Sequence, residues 1–303
     1  MKNLGKICAL LLLLIGSGAA GLHAQSRYHQ ERAIDFILDG QVDSARKETD
    51  LQALEPGADK DPDFWHWRGV IYNEMYKRYE ATNTASPYRA TALMCFANAV
   101  SMDTDSARIS LSKQFLKSIA SRFYNDAVAT LDTAHYATSV ACYQNYRKAV
   151  LLSDPKFDIG RKDVEFYLAL ASTYYVIYNV DKRANAQFFD STRNTYMRVL
   201  TINPDNYSAN YNLGVLYWNR GVDLMYDIDY DDSLGMVFDV QDRSVELFKQ
   251  SLPFAEKAYA MEPKREETLI VLSGIYYSLN EFDKSDKYKE MLDNLRNQPK
   301  KPE

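Results

Sequence analysis

The chain has 303 residues, 46% of them apolar and 25% charged, with a formal net charge of −5, so it is neither an unfolded polyelectrolyte nor a basic nucleic-acid binder. Only 12 glycines and 9 prolines occur, which disfavours a turn-rich all-β fold and suits long helices, whereas tyrosine is abundant at 23 copies.

The first 24 residues read as a secretory signal peptide. Lys2 and Lys6 supply a basic start, residues 9–15 are an unbroken apolar run, and residues 16–24 are rich in small side chains, with cleavage expected after Ala24. The run is too short to span a bilayer, and Cys8 precedes it, so neither an integral membrane segment nor a lipid-bearing cysteine is expected. Removing Lys2 and Lys6 takes the formal charge from −5 to −7. An acidic chain without a basic cluster argues against nucleic acid and anionic lipid as partners. The remaining cysteines, Cys95 and Cys142, fall on inward stripes of different helices, and their spacing favours buried free thiols over a disulfide.

Downstream, one spacing recurs. Trp65, Arg68, Gly69 and Tyr72 stand at i, i+3, i+4 and i+7, followed by Ala92, Phe96 and Ala99 at i, i+4 and i+7. The same double stripe returns as Leu116, Ile119, Ala120 and Phe123 with Cys142, Tyr146 and Ala149, and as Tyr167, Leu170, Ala171 and Tyr174 with Thr192, Tyr196 and Val199. Each half is one face of an α-helix, and a small residue at i+4 admits a close partner. Such hairpins bury their stripes only by stacking. Six units are expected over 25–297, at about 26–57, 62–105, 113–155, 164–204, 207–263 and 266–297, followed by a disordered tail at 298–303 carrying Pro299 and Pro302. Pro56, Pro155, Pro204 and Pro263 each follow a second helix. The first and last units are compact, with turns at Gly40 and at Asn280, Glu281 and Phe282. The middle four are stretched between their helices, as at 77–87 and 131–138, where longer helices with a loop at the tip are expected.

This double stripe with its closing prolines resembles the tetratricopeptide repeat (TPR) family, although Arg68 stands for a leucine and Thr104 for a closing proline. The resemblance implies an all-α, right-handed α-solenoid whose first helices line a concave groove. It also implies a role in binding a protein or peptide. In that register the groove positions are Ile37, Asn73, Tyr124, Tyr175, Trp218 and Tyr277, with Tyr211, Asn125 and Asn219 adjacent. Four successive aromatics would form a ladder on an aromatic, weakly acidic groove, as tyrosine and tryptophan give large contact area with few rotors. The competing reading is that these rings pack into the core. The pattern with which some family members clamp a C-terminal carboxylate is incomplete, because Lys117 is followed by Ser121 where an asparagine belongs.

Catalytic patterns are absent from the sequence: His29, His66 and His135 are scattered, and no metal-ligand spacing, nucleophile elbow or phosphate-binding glycine loop occurs. A non-enzymatic scaffold without cofactor is therefore expected. Asp227, Asp229 and Asp231 alternate like the start of a calcium loop, but Asp232 and Phe238 occupy the positions that need glycine and glutamate, so a solvated acidic loop is favoured. Five Asp-Ser/Thr-apolar triplets place Ser44, Ser106, Thr133, Ser191 and Ser233 in a motif that resembles the O-glycosylation sequon which one large phylum of Gram-negative bacteria uses on exported proteins. The same residue types are also preferred helix N-caps. Together these features suggest a scaffold exported to the periplasm of a Gram-negative bacterium, possible outer-membrane association included. The alternative is a carbohydrate- or small-ligand-binding helical-repeat protein.

Overall fold

The computed structural model describes residues 25–229, 231 and 233–297. The expected signal peptide at 1–24, the tail at 298–303 and Asp232 lie outside the described residues. Among the described residues there is no strand. Twelve α-helices follow in order: α1 (25–38), α2 (Val42–Gln52), α3 (Pro62–Tyr79), α4 (Pro87–Met102), α5 (Ser106–Ala129), α6 (Tyr136–Ser153), α7 (Gly160–Val180), α8 (Gln187–Ile202), α9 (Tyr207–Tyr226), α10 (Leu234–Met261), α11 (Glu266–Ser278) and α12 (Phe282–Arg296). They pair consecutively into six helical hairpins, the all-α solenoid architecture expected from the double stripe.

The hairpins are organised as two compact units. One comprises the residues up to Thr130 with His135–Asp158 and holds α1 to α6; the other comprises Leu131–Ala134 and the residues from Ile159 onward and holds α7 to α12. In the first unit α2 packs on α3 and α4 on α5. In the second, α8 packs on α9, α10 on α11, and α9 also touches α11. The stretched units are stretched because their helices are long: α5 has 24 residues and α10 has 28, against 13 in α11.

Helix ends follow the chemistry of their sequence. Asp61, Ser86, Asp105, Asn206 and Ser233 are N-caps whose side chains accept backbone N–H bonds, and Pro62 and Pro87 occupy first-turn positions where no donor is needed. The two short turns close alike. Gly40, at φ +74°, and Asn280, at φ +59°, end α1 and α11 in the left-handed region. Gln41 N–H reaches the Phe36 carbonyl at 2.8 Å, and Glu281 N–H reaches that of Tyr276 at 2.9 Å. Pro253 lies inside α10, where the missing N–H leaves the Lys249 carbonyl without its helical donor.

Within hairpins, small residues meet rings. A Cβ on Gly69 would lie 2.8 Å from Phe96, and one on Gly221 would lie 2.5 Å from Phe248. Ala99 and Ala149 are 1% and 0% exposed, and Cys95 and Cys142 are buried free thiols, with burial pushing the Cys95 thiol up to about 12. His66 is buried against Phe96 and Phe115 and hydrogen-bonds Ser112 Oγ through Nδ1 at 2.7 Å. Arg89, 1% exposed, donates to Asp126 at 2.5 Å and to the Thr84 carbonyl at 2.7 Å, with its guanidinium 4.0 Å from the Phe123 ring centre.

Two outcomes follow from this packing. Ala99→Leu or Ala149→Leu forces four-carbon side chains into closed contacts and should destabilise the fold by about 1–3 kcal/mol, read as a lower melting temperature. Burial also lowers the His66 pKa below its ordinary 6.5, despite Asp63 nearby. The unfolded chain then binds more protons below that value, so the His66 contribution is complete above pH 6.5 and shrinks as the pH falls. His66→Gln should accordingly flatten the melting-temperature profile between neutral pH and pH 5, with the wild type losing more over that interval.

Candidate functional site

The second unit gathers five of the residues singled out in the sequence: Tyr175 on α7, Tyr211, Trp218 and Asn219 on α9, and Tyr277 on α11. In that unit α9 touches α11 directly and is tied to α7 by a side-chain hydrogen bond. Asn219 Nδ2 donates to the Tyr175 hydroxyl at 2.9 Å. Tyr211 stacks on Tyr207 with ring centres 5.9 Å apart, the Tyr207 hydroxyl lies 2.6 Å from Thr268 Oγ1, and the Arg265 guanidinium sits 5.0 Å from the Tyr207 ring centre. Burial raises the Tyr211 pKa, with Glu267 adding to the effect.

Trp218 is half-buried. Its Nε1 donates to Ser278 Oγ at 3.2 Å, and its ring lies where a Cβ on Gly274 would be, 2.3 Å from Cζ2. Tyr277 is 59% exposed, with its ring against the edge of Phe282 at 5.5 Å and Lys289 Nζ 5.4 Å from its centre. No ring-to-ring contact joins Tyr175, Trp218 and Tyr277 among the described residues. Their contacts interleave instead: Tyr175 meets Asn219, Trp218 meets Ser278, and Tyr277 meets Phe282. The register between α9 and α11 sets Gly274 and Ser278, one turn apart, against the indole, and this turns Tyr277 onto the neighbouring face.

A cleft of about 740 Å³ opens beside Trp218 and Tyr277. Val222 and Tyr226 from α9 and Ser244 and Phe248 from α10 complete its walls. Ser244 is 0% exposed, and its Oγ has no hydrogen-bond partner. The α10 wall was not singled out from the sequence. Its signal was the continuation of apolar residues at 3–4 spacing through the acidic segment 227–242, which reads first as a loop.

The other expected residues belong to the first unit. Tyr124 is half-buried with its ring 5.0 Å from that of Tyr146, and Asn125 is exposed. Asn73 is 4% exposed and Ile37 packs beside the cluster of Ala33, Ala45 and Ile71. The side chain of Asn73 offers almost no surface, because the lengthened α3 packs that position inward, and this corrects its placement on a groove. Of the five hydroxyls in Asp-Ser/Thr triplets, Ser106, Thr133 and Ser233 are exposed at helix starts or in a connection, with Asp105 and Ser233 serving as N-caps. Ser44 and Ser191 instead lie within α2 and α8, where Ser191 Oγ donates to the Gln187 carbonyl.

Among the described residues no group of three His, Cys, Asp or Glu side chains is arranged to hold a metal ion, and no helix is long and apolar enough to cross a membrane. Asp227, at the head of the calcium-like segment, pairs with Arg183 at 3.5 Å, and Phe238 lies in α10. No protein-family model and no curated protein matches the chain.

The Gly274 contact gives a direct check of this site. Gly274→Ala should push the indole aside, break its bond to Ser278, shift tryptophan emission and cost about 1–3 kcal/mol. Gly235→Ala, where nothing lies within 4 Å of the added carbon, should leave emission unchanged and leave stability equal or higher.

Proposed function

We propose that this chain is a non-enzymatic helical-repeat scaffold of the tetratricopeptide type that binds a protein or peptide partner. The carrying observation is the partly exposed aromatic and amide face on α7, α9 and α11, where Tyr175, Tyr211, Trp218, Asn219 and Tyr277 converge in one unit. Rings held by hydrogen bonds and close packing lose little freedom on binding, and this favours a recognition role over a purely structural one. The scattered histidines and the absence of a nucleophile pattern support a non-catalytic role. The signal-like N-terminus supports action in the cell envelope of a Gram-negative bacterium. A carbohydrate-binding role has weaker support: a sugar needs an open ring face, and Lys289 lies over Tyr277, the most exposed of these rings.

The test compares binding with stability. Affinity capture from an envelope extract with residues 25–303 as bait should recover a partner, identified by mass spectrometry and then titrated in purified form. Tyr175→Ala combined with Tyr277→Ala should weaken that partner by about 2 kcal/mol per anchor, while the melting temperature moves little because both rings are partly exposed. Unchanged affinity in the double variant would remove this face from the reading.

A further inference from the structure

α10 outruns its partner. Gly221 of α9 lies against Phe248 of α10, and α9 ends five residues later at Tyr226, whereas α10 extends fourteen residues from Phe248 back to Leu234. At a rise of 1.5 Å per residue, roughly 13 Å of α10 projects past the end of α9. Along this projection Leu234, Phe238, Gln241, Val245 and Phe248 follow at alternating spacings of four and three, a single apolar seam broken only by Gln241. The lower end of the seam forms the wall of the cleft beside Trp218. The upper end is uncovered, with Leu234 75% and Phe238 61% exposed.

Two further features say what covers it. The Ser244 hydroxyl is fully buried in the cleft wall without a partner, so it can pair only with a group that enters the cleft and displaces the side chains covering it. Beside the seam, Asp239, Asp242 and Glu246 form a parallel acidic line at the same 3–4 spacing. No Lys or Arg occurs from Asp227 to Asp242, and Arg243 is the single cation between Asp227 and Glu246, where six aspartates and one glutamate leave the stretch strongly acidic. A second copy would bring this acidic line against its own image. A helix with basic flanks would neutralise it.

We infer that the projecting seam of α10 and the adjoining Trp218 cleft form a docking site for an amphipathic helix of a partner protein, one with apolar residues at 3–4 spacing flanked by Lys or Arg. The partner's apolar stripe covers Leu234 and Phe238, one of its side chains enters the cleft beside Ser244, and its basic residues pair with Asp239 and Asp242. This inference rests on the partner-binding reading, shares Trp218 and Tyr277 with that face, and adds the α10 seam, which lies apart from Tyr175 and Tyr211.

The test uses residues 25–303 and two designed three-heptad helical peptides that share a leucine stripe, one flanked by lysines and the other by glutamates. Binding is followed by fluorescence anisotropy of labelled peptide and by tryptophan emission. The lysine peptide should saturate with a Kd on the order of 10 μM, and the glutamate peptide should bind at least about tenfold more weakly. Phe238→Asp should weaken the lysine peptide about tenfold or more. Because that change adds negative charge, mere charge attraction would strengthen binding instead, so equal or tighter binding overturns the inference. Equal binding of both peptides, or binding of neither, also overturns it. So does a dimer seen by sedimentation that Phe238→Asp abolishes, which would assign the seam to a second copy. If Tyr175→Ala weakens the peptide as much as Phe238→Asp does, the tyrosine face is the docking site and only this inference fails.

Discussion

The fold depends on two helices of a hairpin coming closer than ordinary side chains permit. Gly69 lies under the Phe96 ring, Gly221 lies under Phe248, and the Gly214 backbone faces Ala255, where an added Cβ would be 3.2 Å away. The first two contacts remove a large ring from water while leaving a backbone, not a side chain, as its neighbour, and the third sets backbone against an alanine. An isolated hairpin would still expose the outer half of each stripe, so the next hairpin must cover it, as α11 does for Trp218 through Gly274. Small residues thus set the distance within a hairpin, and in the second unit they also set the distance between hairpins.

Close packing obliges buried polar groups to find local partners. Ser251 Oγ donates to the Gly214 carbonyl at 2.7 Å, and Ser139 Oγ donates to that of Ala127 at 2.6 Å, each hydroxyl tying one helix of a hairpin to the other. Arg89 is a larger case, its charge held by Asp126, a backbone carbonyl and the Phe123 face, since an unpaired guanidinium at that depth would be prohibitively desolvated. Ser244 Oγ breaks the pattern, as do the Tyr178 hydroxyl and the Nε atoms of Arg46 and Arg89. Ser244 stands seven residues before Ser251 on the same helix face, yet it has no hydrogen-bond partner.

Much of this was legible in the sequence because helical periodicity is a local signal. The pairing of Gly69 with Phe96 is written in the i+4 place of each stripe, and the turns at Gly40 and Asn280 follow from residues that tolerate positive φ. What periodicity does not carry is the register between successive hairpins. Asn219 meets Tyr175 while Trp218 meets Gly274 and Ser278, so the contacts between successive hairpins are not readable from a residue's place in the repeat. The helical setting of Ser191 has a related cause, because helix length is poorly marked where a stretched connection could be loop or helix.

The acidic segment 227–242 shows how composition can hide structure. Six aspartates suggest a solvated loop, but Ser233 caps α10, its Oγ accepting from Met236 N–H, and Asp239 and Asp242 beyond it lie on the helix. Helix formation there separates the charges from the apolar residues, placing Asp239 and Asp242 beside the seam of Leu234 and Phe238. An exposed apolar seam on a projecting helix invites self-association, and a line of like charge along its flank opposes association with an identical line. The same residues that would make the seam a liability to the isolated chain therefore make it selective, leaving it open to a helix of opposite charge and resistant to its own copy.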